Sequence, residues 1–108
     1  MTGPEQRRQI RRSADQMIRV SLPRGSAHQT ETVRMADISE GGLCFIGTRY
    51  LVPGTSVGIE FADCRIVAEV RYCKLREYGA ASQYFTGVQV QQILEGVETW
   101  LALTESAG

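Results

Sequence analysis

The sequence contains no apolar run approaching the roughly 20 residues that a membrane-spanning helix needs. Its opening, MTGPEQRRQIRR, lacks the apolar stretch of a secretory signal. A cytoplasmic chain without membrane insertion is the expectation. Three cysteines, Cys44, Cys64 and Cys73, are odd in number and form neither a C-x-x-C nor a Cys/His pairing. This argues against a disulfide framework or a zinc site and for reduced, partly buried thiols. The one histidine, His28, lies in the polar stretch GSAHQTET, where an isolated imidazole is far more often solvated than ligating. No H-E-x-x-H, Walker or G-x-G-x-x-G pattern occurs, and no serine or cysteine has an evident His/Asp retinue. Neither catalysis nor a cofactor is expected. Aromatic residues make up 7% of the chain, and few of them interleave with basic ones on any strand. The footprint of a single-strand binder is therefore weak, and DNA and RNA are not expected partners.

What is present suits one small globular domain. The 108 residues are 43% hydrophobic and 22% charged, and a domain near that length buries only about two-thirds of its unfolded-chain surface. Every apolar strand face should be in use. Net charge is zero, but the zero conceals a division. Residues 1–24 hold six arginines against Glu5 and Asp15, whereas the remainder holds six basic residues against ten acidic ones. A basic leader thus precedes an acidic body. All six positive charges of the leader are arginine, which favours planar, forked recognition of phosphate or of a guanine edge over charge alone.

The first dozen residues have no apolar period and read as a flexible or loosely docked arm. From Met17 the pattern changes: Ile18, Val20 and Leu22 alternate with Arg19 and Ser21, the period of a half-buried strand. Further strands are predicted around Val33 and Met35, around Leu43 and Phe45, and over Val57, Ile59 and Phe61 after a Pro53-Gly54 turn. A long strand comes next, from Arg65 to Leu75, with Ile66, Ala68, Val70 and Tyr72 on one face. After a small-residue loop over 79–82, the last strand runs from Tyr84 to Val90. Ile93, Val97, Trp100 and Leu101 then fall at helical spacing, forming a short amphipathic stripe interrupted by Gly96. Six short strands, glycine and proline turns and one terminal helix define an all-β chain, a six-stranded antiparallel barrel with a C-terminal helix and a flexible N-terminal arm. The organisation is an arm over 1–14, a barrel with its helix over 15–104 and a tail over 105–108.

Two clusters could carry chemistry. One is the arginine run QRRQIRR, in which both Arg7/Arg11 and Arg8/Arg12 have R-x-x-x-R spacing. The other is Asp37-Ile38-Ser39-Glu40-Gly41-Gly42, whose residue types also suit a plain tight turn: Asp and Ser can bond nearby backbone, and glycine supplies positive φ. Together they decide the reading. R-x-x-x-R followed by D-x-S-x-x-G, with VRMADISEGGLCF over 33–45, Ala68-Glu69-Val70-Arg71-Tyr72 and Gly87-Val88-Gln89-Val90, resembles the PilZ family, bacterial receptors for the second messenger cyclic di-GMP. Valine stands at position 90 where the family usually has phenylalanine.

The resemblance implies nucleotide binding without catalysis, through an arm that folds over the ligand and alters the surface offered to a downstream effector protein. The implied ligand presents two phosphates and two guanines. Guanidinium forks suit guanine O6 and N7, or a phosphate, while a carboxylate suits the N–H edge. The expected ligand-binding residues are accordingly Arg7, Arg8, Arg11 and Arg12 on the arm, with Asp37 and Ser39 bonding the base or phosphate. Gly42 and Gly41 are expected to allow the turn and a close backbone approach. Arg7/Arg11 is the preferred register, because counting from Arg11 brings Val20 to the family's strand hydrophobe. The competing reading is a PilZ-fold adaptor that binds protein and no nucleotide.

Overall fold

A computed structural model of the chain describes residues 12–13, 16–22, 29–78 and 81–105. Seven strands precede a helix: β1 Arg12–Ser13, β2 Met17–Leu22, β3 Gln29–Ser39, β4 Gly42–Gly47, β5 Ser56–Phe61, β6 Cys64–Tyr78, β7 Ala81–Glu95 and α1 Val97–Glu105. All pairings are antiparallel. The order β3-β2-β5-β6-β7-β4 closes through a β3–β4 pairing into a six-stranded barrel. β1 continues along the edge of β3 that β2 occupies, with Arg12 opposite Ile38 and Ser13 opposite Asp37. Between them the Met35 N–H donates to the Gln16 carbonyl at 2.8 Å.

The period-two patterns put branched apolar side chains into the lumen. Ile18, Val33, Met35, Ile38, Val57, Ile59, Ile66, Ala68 and Val70 are buried in one continuous core. Their outward neighbours Arg19, Glu60 and Arg65 form an exposed ion-pair chain, Arg19 to Glu60 to Arg65, and Arg65 reaches Glu95 at 3.5 Å. The Arg19 hydrogen bond is the main cause holding the Glu60 carboxyl below its ordinary value.

The ladders shift register at four places, two of them beside the Asp37 and Tyr72 positions. Met35 pairs with Phe45 and Asp37 with Cys44, so Ala36 is an extra residue on β3. Val70 pairs with Val88 and Tyr72 with Gly87, so Arg71 is an extra residue on β6. A β-bulge reverses the inward and outward phase of the strand beyond it. Past the first bulge Ile38 enters the core and Asp37 and Ser39 turn away from it. Past the second, Cys73 packs on the core and Tyr72 is 43% exposed. The expectation that Tyr72 shares the buried face of Ile66, Ala68 and Val70 is thereby corrected.

The C-terminal helix differs from the expected stripe. Ile93 belongs to β7, and α1 begins at Val97. Only Trp100 is buried, whereas Val97 and Leu101 are exposed. Gly96 is the strand-to-helix joint, not a weak point within the helix: its φ is +79°, and a Cβ there would meet the Asp63 carbonyl oxygen at 2.5 Å. Asp63 also accepts from the Thr99 hydroxyl at 2.5 Å, and the Trp100 N–H opens the helical ladder by donating to the Gly96 carbonyl. The expected loop over 79–82 is shorter, since β7 already includes Ala81 and Ser82. The Pro53-Gly54 turn is present, with Gly54 at φ +99°. Cys44 and Cys64 are buried and Cys73 is half-buried, all three as free thiols. Among the described residues no helix is long and apolar enough to cross a membrane.

Candidate functional site

A groove of about 360 Å3 crosses the outer face of β3, β4, β7 and β6. Its floor is built from two rows of directly paired residues. One row runs Asp37, Cys44, Gly87, Tyr72, and the other Ser39, Gly42, Gln89. In each row the inner positions include a glycine, and the first has only Cys44 and Gly87 between its ends. Small side chains flanked by larger ones make a trough. Three strand spacings of about 4.8 Å separate β3 from β6, so the trough is roughly 14 Å long.

The near end is the β3–β4 hairpin. Glu40 and Gly41 form its turn, and the Ser39 hydroxyl lies 3.4 Å from the Gly42 carbonyl. The Gly41 carbonyl accepts from the Val90 N–H at 2.9 Å, which fixes the turn against β7. Gly42 is required by crowding: a Cβ there would meet the Val88 carbonyl oxygen at 2.0 Å. Neither Gly41 nor Gly42 has a positive φ, so the left-handed turn geometry expected from the sequence is not why these glycines are present. Gly41 has open space around its Cα, which leaves the base of the groove approachable there.

The far end was not foreseen. Tyr72 leans over Gly87 so closely that a Cβ at Gly87 would meet its ring at 2.3 Å. The Lys74 ammonium sits 5.3 Å from the centroid of that ring. Arg71, aimed by its bulge, donates from Nη1 to Gln89 Oε1 at 2.6 Å. In the sequence Arg71 and Gln89 look like solvated outward residues of two strands. The available signal was the phase change from Val70 to Cys73, which marks an inserted residue at a strand surface.

Asp37, Ser39, Gly41 and Gly42 therefore lie together on one groove. Of the arm residues, Arg7, Arg8 and Arg11 lie outside the described residues, as does His28. Arg12 is described by its backbone, which pairs with Ile38, the neighbour of Asp37. No group of three or more metal-binding side chains occurs among the described residues.

A six-stranded antiparallel barrel with an outer-face groove beside a D-x-S-x-x-G hairpin defines a small β-barrel module. The model of the PilZ domain family matches residues 5–102, so the chain belongs to that family. It has no significant match among curated proteins or among solved structures.

Proposed function

We propose that the chain is a cytoplasmic receptor for cyclic di-GMP that relays the level of this dinucleotide to a partner protein. Family membership supports the ligand class, since PilZ domains are in general receptors for it and are binding modules, not enzymes. The observation that carries the reading is the pairing of Arg12–Ser13 with β3 at Ile38 and Asp37. It brings the end of the arginine run to the hairpin that bears the second motif. Successive Cα atoms are 3.8 Å apart, so Arg8 lies within roughly 15 Å of Arg12 along the chain, and Arg11 is adjacent to it. Guanidinium groups on this segment can reach a ligand lying on the trough.

The chemistry is complementary. The Asp37 carboxylate accepts from guanine N1–H and N2–H, Ser39 bonds the base or a phosphate, and arginines take O6, N7 and phosphate oxygens. Ordering the arm opposes binding by about 1–2 kcal/mol for each residue fixed. Charge-assisted hydrogen bonds worth about 1.5–3 kcal/mol each offset that cost, which is why several arginines are needed. The ordered arm would then present a new surface to the effector.

Isothermal titration with cyclic di-GMP tests the reading: binding by the native chain is abolished in Arg11→Ala and in Asp37→Ala. Wild-type affinity in both variants would overturn it. Parallel titrations of Arg7→Ala, Arg8→Ala and Arg12→Ala assign the register. A stable protein complex from a chain that takes up no nucleotide would select the adaptor reading instead.

A further inference from the structure

We infer that the far end of the groove is a second anion-binding subsite, built on the barrel and independent of the arginine arm. It rests on the receptor function already proposed, because its ligand is the other half of the same dinucleotide. Asp37 and Ser39 engage one guanine at the β3 end. Two to three strand spacings along the trough, roughly 10–14 Å, stands the Arg71 guanidinium, with the Lys74 ammonium over the neighbouring Tyr72 ring. A ligand anchored by its donor edge at a carboxylate and carrying negative charge away from that edge matches this polarity.

Three features make Arg71 suited to the task. It is the bulged residue of β6, so its direction is set by the ladder on either side, and bulges characteristically re-aim side chains beside binding sites. Its guanidinium is braced by Gln89 Oε1 at 2.6 Å, which uses one of five N–H donors and leaves four for a ligand. The brace is also uncharged. Among the described residues Arg19, Arg49 and Arg65 lie against carboxylates, whereas Arg71 lies against an amide and retains its full charge toward the groove. Glu69, which bonds the Gln91 amide at 3.2 Å and keeps its negative charge, does not line the groove.

Lys74 adds to the field. Its ammonium rests over the Tyr72 ring, where the ring quadrupole holds a cation without neutralising it. Arg71 lines the trough with Tyr72, and Lys74 rests over the Tyr72 ring, so a phosphate or a guanine O6/N7 edge would meet Arg71 directly and feel the charge of Lys74 beside it. Gln89 is a positioning residue: it touches Arg71 and fixes the fork.

Titration of the full chain with cyclic di-GMP decides the matter. Arg71→Ala weakens binding at least 10-fold, Arg71→Lys recovers part of the loss, and Lys74→Ala weakens binding about threefold. Gln89→Ala weakens binding about threefold in the native background and has no further effect beside Arg71→Ala. Arg71 is exposed, so the variants should keep the native melting temperature. If the native chain binds while Arg71→Ala stays within twofold of it, the subsite is wrong and the receptor reading survives. If the native chain fails to bind, both are wrong. An Arg71 side-chain NMR resonance that stays unmoved at saturating nucleotide likewise overturns the subsite.

Discussion

Two adjacent glycines in one motif do different work. At Gly42 a methyl group would collide with the Val88 carbonyl oxygen, a backbone atom that moves only if β4 and β7 separate. At Gly41 it would meet nothing within 4 Å. Gly42→Ala is therefore expected to cost about 1–3 kcal/mol, the usual penalty of overpacking, and Gly41→Ala almost nothing. Thermal melts of the two variants measure the difference. The cysteines separate in the same manner. Burial first, and the neighbouring Asp63 second, push the Cys64 thiol above its ordinary value. Cys73 is half-buried and lies 3.3 Å from the Thr86 hydroxyl. In the native state an alkylating reagent should modify Cys73 well before Cys64, read by mass spectrometry of partially labelled protein. Asp37 and Ser39 were legible from residue type and spacing. The reason for Gly42 was not, because it lies in a strand 46 positions away that the sequence does not show approaching.

The strands were readable wherever alternation holds without interruption: β2 and β5 match their expected extents closely. Misreading began where an element carries one residue too many. Counting by twos from Val33 and Met35 points Asp37 inward, and counting from Ile66 points Tyr72 inward. Both face outward, because Ala36 and Arg71 shift the phase. The phase change is visible in retrospect, as Ile38 and Cys73 fall on the parity opposite to their predecessors. The helix was misjudged for a related reason. A spacing of three and four residues was extended back through Ile93, although Gly96 at positive φ separates strand from helix there. One side chain anchors the element. Trp100→Ala should destabilise the fold by about 3–5 kcal/mol, whereas Leu101→Ala, at a position that is 46% exposed, should change it little. Urea denaturation of both variants checks the contrast.

For the whole molecule, closure of the barrel leaves acid sensitivity to its outer charges. The Glu60 carboxyl is held below its ordinary value of 4.5 by the Arg19 hydrogen bond and by the charges of Arg19 and Arg65. A depressed folded-state value means that its contribution is complete above pH 4.5 and disappears as pH falls through the folded value. Glu60→Gln should therefore lower stability slightly at neutral pH, within the small range of surface ion pairs, and flatten that part of the acid slope, so that variant and native chain converge at low pH. Denaturant titrations at a series of pH values measure it. Ligand linkage acts at the same scale. Nucleotide at 100 times its dissociation constant should stabilise the fold by about 2.7 kcal/mol, a rise of roughly 10 °C in melting temperature for a domain of this size.

The Met35 amide occupies an unusual station, since its hydrogen is held by the Gln16 carbonyl at the point where β1 gives way to β2 along β3. Any peeling of β1 from β3 must reach this bond before it disturbs the core strands. Its rate of deuterium uptake is thus a built-in gauge of whether β1 is seated or released, readable at one peptide group without a label.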